Sequence, residues 1–373
     1  MAHANRNAWL LLLGSWGVPA SLYWDYSWES TIGVDRFFAP PHVATDLAVA
    51  FAATVALALL LKTTRARAAG VALGRMRAPL GAWLVLWGAL AFAAALVFDR
   101  WWQTGYGQAA GIWHPPQILK AVAFFAVTIG VWVEWQGRQA RASGVLGFAL
   151  AGGAVLSLIG VVTLASSFAN LQRSAFFFQL GCATYPVVLV ALAVAGRGRF
   201  PASTAALAAF GVQLALVWLL PLVPGAPEVG PVYHPRDTLL PPPFPLLLVL
   251  PALVVDLLLR ARPARGGPGQ RAPSALDARL ALEAGLAFAA VFVLVQWTFA
   301  GFLLSPAADT WLFAGGGRHW PFFLRIDPSA RAAFWHAPGD ALSASRGAVV
   351  ALLAVLASSA GLALGAGLAR VRS

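Results

Sequence analysis

Long apolar runs recur along the whole chain and leave few folds open to it. A bilayer core of about 30 Å is crossed by roughly 20 mostly apolar residues in a helix. Ten stretches meet that need: 8–24, 43–61, 80–98, 116–136, 144–166, 175–195, 202–223, 242–260, 280–304 and 346–368. Lipid offers backbone N–H and C=O groups no partners, so spans of this kind must be helices. The pattern predicts an all-α, polytopic integral membrane helical bundle of about ten transmembrane helices, forming a single transmembrane domain over 1–373. Composition agrees: 60% of residues are apolar and 11% charged, against about 45–50% and about 25% in soluble domains.

The formal charge of +12 is a sidedness label rather than a nucleic-acid footprint. With both termini placed inside, the inner segments hold seventeen basic residues, among them Lys62, Arg65, Arg75, Arg138, Arg199 and Arg262, against the single acid Asp277. The outer segments hold eight Arg against nine acids. The positive-inside rule then gives an N-in/C-in topology. Expected partners are anionic lipids at the inner face and other membrane subunits, with no nucleic acid. Residues 261–279 read as an inner linker and 305–345 as the one long outer loop. The first run lacks a small-residue cleavage site before its Trp-rich end, so it reads as a span rather than a signal peptide. An Ala/Arg/Gly-rich chain of this class fits a bacterial cytoplasmic membrane.

The first two outer segments resemble each other at an offset of 74 residues. WDYSWESTIGVDRFFAPPH begins at 24 and FDRWWQTGYGQAAGIWHPP at 98. Asp25 aligns with Asp99, Trp28 with Trp102, Glu29 with Gln103 and Gly33 with Gly107, and a Pro-Pro pair opens the following span in each. The spacing predicts a tandem helix–loop–helix repeat over 8–61 and 80–136.

Five of the six histidines (His42, His114, His234, His319 and His336) fall on the outer side, beside proline or a bulky aromatic residue. Most carboxylates share that side. Imidazole with carboxylate is a ligand set for copper, iron or zinc, so the expected metal ligands are His42, Asp46, His114, His234, Asp25, Glu29 and Asp99. Asp46 lies one helical turn from His42 on the same face. It is placed to share a metal with that imidazole, to orient it, or to pair with Arg36 or Lys120. Glu134, Asp256 and Glu283 each have an Arg four residues away and read as local ion pairs. Gly361 and Gly365 predict close helix packing. The single cysteine, Cys182, excludes disulfide frameworks and multi-Cys metal sites.

Three function classes follow. The first is a membrane metalloprotein with its site at the outer face, of the oxidoreductase class. The stretch FPLLLVLPALVVD (244–256) resembles the membrane subunits of copper-dependent methane and ammonia monooxygenases, over too few residues to carry any role across. The second is haem handling or cytochrome assembly: YWDYSWES and FDRWW are similar to the Trp-rich outer loops of such proteins, with Trp28, Trp102 and Trp113 as the cofactor-binding candidates. The dense W-G-x-x-W-x-W-D pattern of that class is absent. The third is a transporter or a non-catalytic complex subunit, which a tandem repeat suits.

Overall fold

The structure, a computed structural model, describes residues 2–33, 38–107, 113–167, 172–228, 237–261, 277–303, 305–308, 310–313 and 339–371. Among them are ten α-helices: α1 (Ala2–Thr31), α2 (Pro40–Arg65), α3 (Leu80–Tyr106), α4 (Pro115–Gln136), α5 (Ala142–Ser167), α6 (Ala175–Ala195), α7 (Pro201–Leu219), α8 (Val249–Ala261), α9 (Ala278–Leu303) and α10 (Ala344–Arg370). Eight are long and apolar enough to cross a membrane; α1 and α8 are not among those eight. A two-stranded hairpin, β1 (Val71–Leu73) and β2 (Met76–Ala78), joins α2 to α3. The chain is thus a multi-pass membrane bundle.

Consecutive helices run antiparallel, so connections alternate between two ends. One end carries the basic segments around Lys62, Arg138, Arg199 and Arg260. The other carries the His42 and His114 segments and is called here the histidine end. The core between them is held by buried aromatics such as Trp132, Trp135, Tyr185 and Phe288. Small residues set the closest crossings. A Cβ on Gly81 of α3 would lie 2.4 Å from the Gly130 carbonyl oxygen on α4. On α10, Cβ atoms at Gly361 and Gly365 would lie 2.8 and 3.0 Å from carbonyl oxygens of α6. The expected small-residue face therefore packs within the chain.

Two features differ from the sequence reading. First, α1 and α3 run on past the apolar runs to Thr31 and Tyr106, so most of the two aligned segments is helix rather than loop. No strong breaker precedes Gly33 and Gly107, which carry φ of 109° and 82°, a conformation open mainly to glycine. The following helices begin at Pro40-Pro41 and Pro115-Pro116, where missing N–H groups cost nothing.

Second, the run 242–260 is not one span. Residues 239–247 have no regular secondary structure and are largely buried, and α8 covers only 13 residues, about 20 Å at 1.5 Å each. Non-helical backbone is tolerated at membrane depth only inside protein, and here neighbouring side chains satisfy part of its polar backbone. Four residues are prolines (Pro241, Pro242, Pro243, Pro245) and carry no N–H. The Leu240 N–H donates to Thr31 Oγ1 (2.8 Å), the Ser27 hydroxyl donates to the Leu240 carbonyl, and the Leu247 N–H donates to Gln296 Oε1 (3.2 Å). Gln296 in turn donates to Gln172 (2.5 Å). Threonine, serine and glutamine on neighbouring helices thus stand in for helical hydrogen bonds.

The three expected local ion pairs divide. Glu134–Arg138 forms, and Arg279 Nε lies 2.8 Å from Glu283. Asp256 instead accepts from the Ser203 hydroxyl (2.7 Å), the Ser203 N–H (2.8 Å) and the Ala202 N–H (3.3 Å). The first turn of α7 offers it several donors and a favourable dipole. Arg260 turns to the Arg199 carbonyl (2.8 Å) and the Phe200 ring.

Candidate functional site

Four helix ends converge at the histidine end: the last turns of α1 and α3 and the first turns of α2 and α4. Each hairpin places an acid on its first helix opposite a base on its second. In the first hairpin, Asp25 Oδ1 lies 3.4 Å from His42 Nε2. In the second, Lys120 Nζ donates to Asp99 Oδ2 at 2.6 Å. Gln103, one turn beyond Asp99, donates to the same oxygen at 3.2 Å. Asp46 lies one turn below His42 and feels both the His42 and the Lys120 charge, so it links the two hairpins.

The pairs differ in exposure. The Lys120 and Asp99 side chains are 17% and 4% exposed, those of His42 and Asp25 31% and 18%. Asp99 Oδ1 is enclosed and accepts no hydrogen bond. The ammonium–carboxylate pair is the more enclosed of the two. Histidine as a residue type, with an unperturbed pKa near 6.5, changes charge between about pH 5 and 8. The two pairs therefore differ in chemistry as well as in exposure.

The remaining candidates are more dispersed. His114 occupies the position before α4, its ring centroid 6.3 Å from that of Trp102, which in turn lies 4.5 Å from Tyr106. Trp28 packs with Trp24 against Ile32, Leu220 and Leu239. Trp113 is exposed and so is Glu29. His234, His319 and His336 lie outside the described residues. Among the described residues no three His, Cys, Asp or Glu side chains are grouped so as to hold a metal ion.

Lys120 is the main residue whose partner sequence reasoning did not find. It was weighed as a partner for Asp46, yet its contact is Asp99, 21 residues back on the neighbouring helix. The signal was present: a lone lysine within an apolar span needs an anion, and the aligned Asp99 ends the preceding span. Asp340, another histidine-end acid, has a structural role, accepting from the Phe176 N–H (3.2 Å) at the start of α6 and facing Arg346 (3.4 Å).

No family model, curated protein or solved structure matches the chain. Its class, a multi-pass α-helical membrane protein, rests on the bundle itself, and the site is read from its own chemistry.

Proposed function

We propose that the protein is a proton-coupled membrane transport protein whose proton-loading site is the cluster Asp25–His42, Asp46 and Lys120–Asp99. The observation that carries this reading is that two of these carboxylates each face a base, with the third close to both hairpins' cations. Asp25 faces His42, Asp99 faces Lys120, and Asp46 feels both. Ionisable groups among spanning helices are costly and by default mark ion or proton pathways. Imidazole changes charge between about pH 5 and 8, so His42 is the group of this cluster suited to take up a proton arriving from the histidine end. The interrupted span that ends in α8 supports the same class, because carriers commonly build their sites around discontinuous helices.

The test is charge displacement. The protein is reconstituted in liposomes on a solid-supported membrane, and the histidine end is stepped from pH 8 to pH 6. A transient inward charge movement that falls at least tenfold in His42→Gln is expected. A well-folded, oriented sample with no transient, or one unchanged by His42→Gln, overturns the reading.

A second reading keeps the same residues as a metal centre, and the His42–Asp25 geometry favours it. A carboxylate 3.4 Å from Nε2 is placed to orient the imidazole and leave Nδ1 for a metal, with Asp46 one turn away. Copper, iron or zinc fits such nitrogen and oxygen donors, with His114, His234, Glu29 and Asp99 as further candidate ligands. The chemistry would then be that of a monooxygenase-like oxidoreductase. Haem beside Trp28, Trp102 and Trp113 is the corresponding cofactor alternative. Elemental analysis and a visible spectrum of purified protein test it: stoichiometric metal lost in His42→Ala supports the metal centre, and a Soret band the haem.

A further inference from the structure

The basic end of α2 carries a surface that the proton-loading site does not use. Ala58, Leu61, Lys62, Arg65 and Ala66 form a shallow, open surface at the end of α2. Positions 58, 61, 62 and 65 follow helical spacing and share one stripe. From Ala58 to Arg65 the stripe covers about 10 Å along the axis and passes from apolar side chains to two cations. Lys62 and Arg65 are exposed, and neither makes an ion pair with a described residue.

The β1–β2 hairpin is tied to the same end of α2 through Thr64 and is itself two-faced. Its register pairs Val71 with Ala78 and Leu73 with Met76 on one face, and Ala72 with Arg77 on the other. Val71, Leu73 and Met76 are half exposed, at 47–51%. Gly74 (φ 58°) and Arg75 form the two-residue turn, a Gly-first pattern suited to a tight hairpin. The hairpin is fixed in place rather than loose. The Arg77 N–H donates to Thr64 Oγ1 (2.8 Å), the Thr64 hydroxyl returns to the Arg77 carbonyl (3.0 Å), and Trp83 Nε1 donates to the Val71 carbonyl (3.0 Å). A rigid hairpin with an uncovered apolar face beside free cations matches the boundary between acyl chains and headgroups.

We propose that the basic end of α2 and the β1–β2 hairpin form a binding site for an anionic phospholipid. Lys62 and Arg65 hold the phosphate, an acyl chain lies along Ala58 and Leu61, and Val71, Leu73 and Met76 enter the same leaflet. The charge match selects an anionic headgroup, and the order of the stripe, apolar below and basic above, selects a lipid over a soluble anion.

The full-length protein, purified in detergent, is examined by native mass spectrometry with phosphatidylglycerol or phosphatidylcholine added. Wild type retains phosphatidylglycerol at least tenfold better than phosphatidylcholine. Lys62→Gln/Arg65→Gln abolishes that preference, whereas the charge-matched control Arg197→Gln/Arg370→Gln keeps it. Val71→Ser/Leu73→Ser/Met76→Ser lowers retention of phosphatidylglycerol with the headgroup preference intact. Equal retention of the two lipids by wild type overturns the site. So does an equal loss in both double variants, which reduces the effect to overall charge. Competition by millimolar inorganic phosphate also overturns it, since that shows an anion site without a lipid.

Discussion

The hairpins α1–α2 and α3–α4 share a plan and differ in one pairing. Gly14 and Gly88, seventy-four residues apart, both sit where the two helices of their hairpin touch: added Cβ atoms would lie 3.0 Å from Ala52 Cβ and 2.9 Å from the Ala123 carbonyl oxygen. Asp25 and Asp99, and the closing Gly33 and Gly107, correspond at the same offset. So do Asp46 and Lys120. The second hairpin has a lysine where the first has an aspartate, and Asp99 takes that lysine. Asp25 faces His42. One frame thus carries an enclosed ammonium–carboxylate pair and a more exposed imidazole–carboxylate pair. The difference teaches where function should reside, because imidazole is the side chain whose ordinary pKa lies near neutrality.

The largest expected effect comes from removing the enclosed pair's cation. Lys120→Met leaves the enclosed Asp99 carboxylate uncompensated, a class of change that costs about 3–5 kcal/mol. Chemical unfolding in mild detergent should show that loss. Asp99→Asn/Lys120→Met should recover most of it, because no buried charge is then stranded. A smaller effect follows from the helix contacts. Gly81→Ala forces a methyl against the Gly130 carbonyl and should cost about 1–3 kcal/mol by the same assay. Gly14→Ala, meeting a side-chain methyl at 3.0 Å, should cost less than Gly81→Ala; the reverse order would break the picture of α3–α4 as the tighter hairpin. The smallest stability effect belongs to His42→Gln. Its partly exposed pair should contribute no more than about 1 kcal/mol, although the pH response depends on it.

Much of this was legible in the chain. Hydropathy located the eight long spans, small-residue spacing on α10 anticipated close packing without naming its partner, and i,i+4 spacing anticipated Glu134–Arg138 and Arg279–Glu283. What escaped was non-local or masked by hydropathy. The run 242–260 is apolar throughout, and apolarity alone cannot tell a helix from a buried non-helical segment; Pro241, Pro242, Pro243 and Pro245 were the available sign. Asp256 had a suitable arginine four residues away, yet the α7 N-terminus offers it more donors. Lys120 and Asp99 meet only because two helices fold back on each other, so their contact follows from hairpin geometry rather than local spacing.

The contrast between the two hairpins is tested most directly by infrared difference spectroscopy of the protein in nanodiscs between pH 8 and pH 5. The account predicts an imidazole protonation signal that His42→Gln removes, with no carboxylic acid band assignable to Asp99 by comparison with Asp99→Asn/Lys120→Met. A spectrum unchanged by His42→Gln, together with a carboxylic acid band that disappears in the Asp99→Asn/Lys120→Met variant, would contradict it.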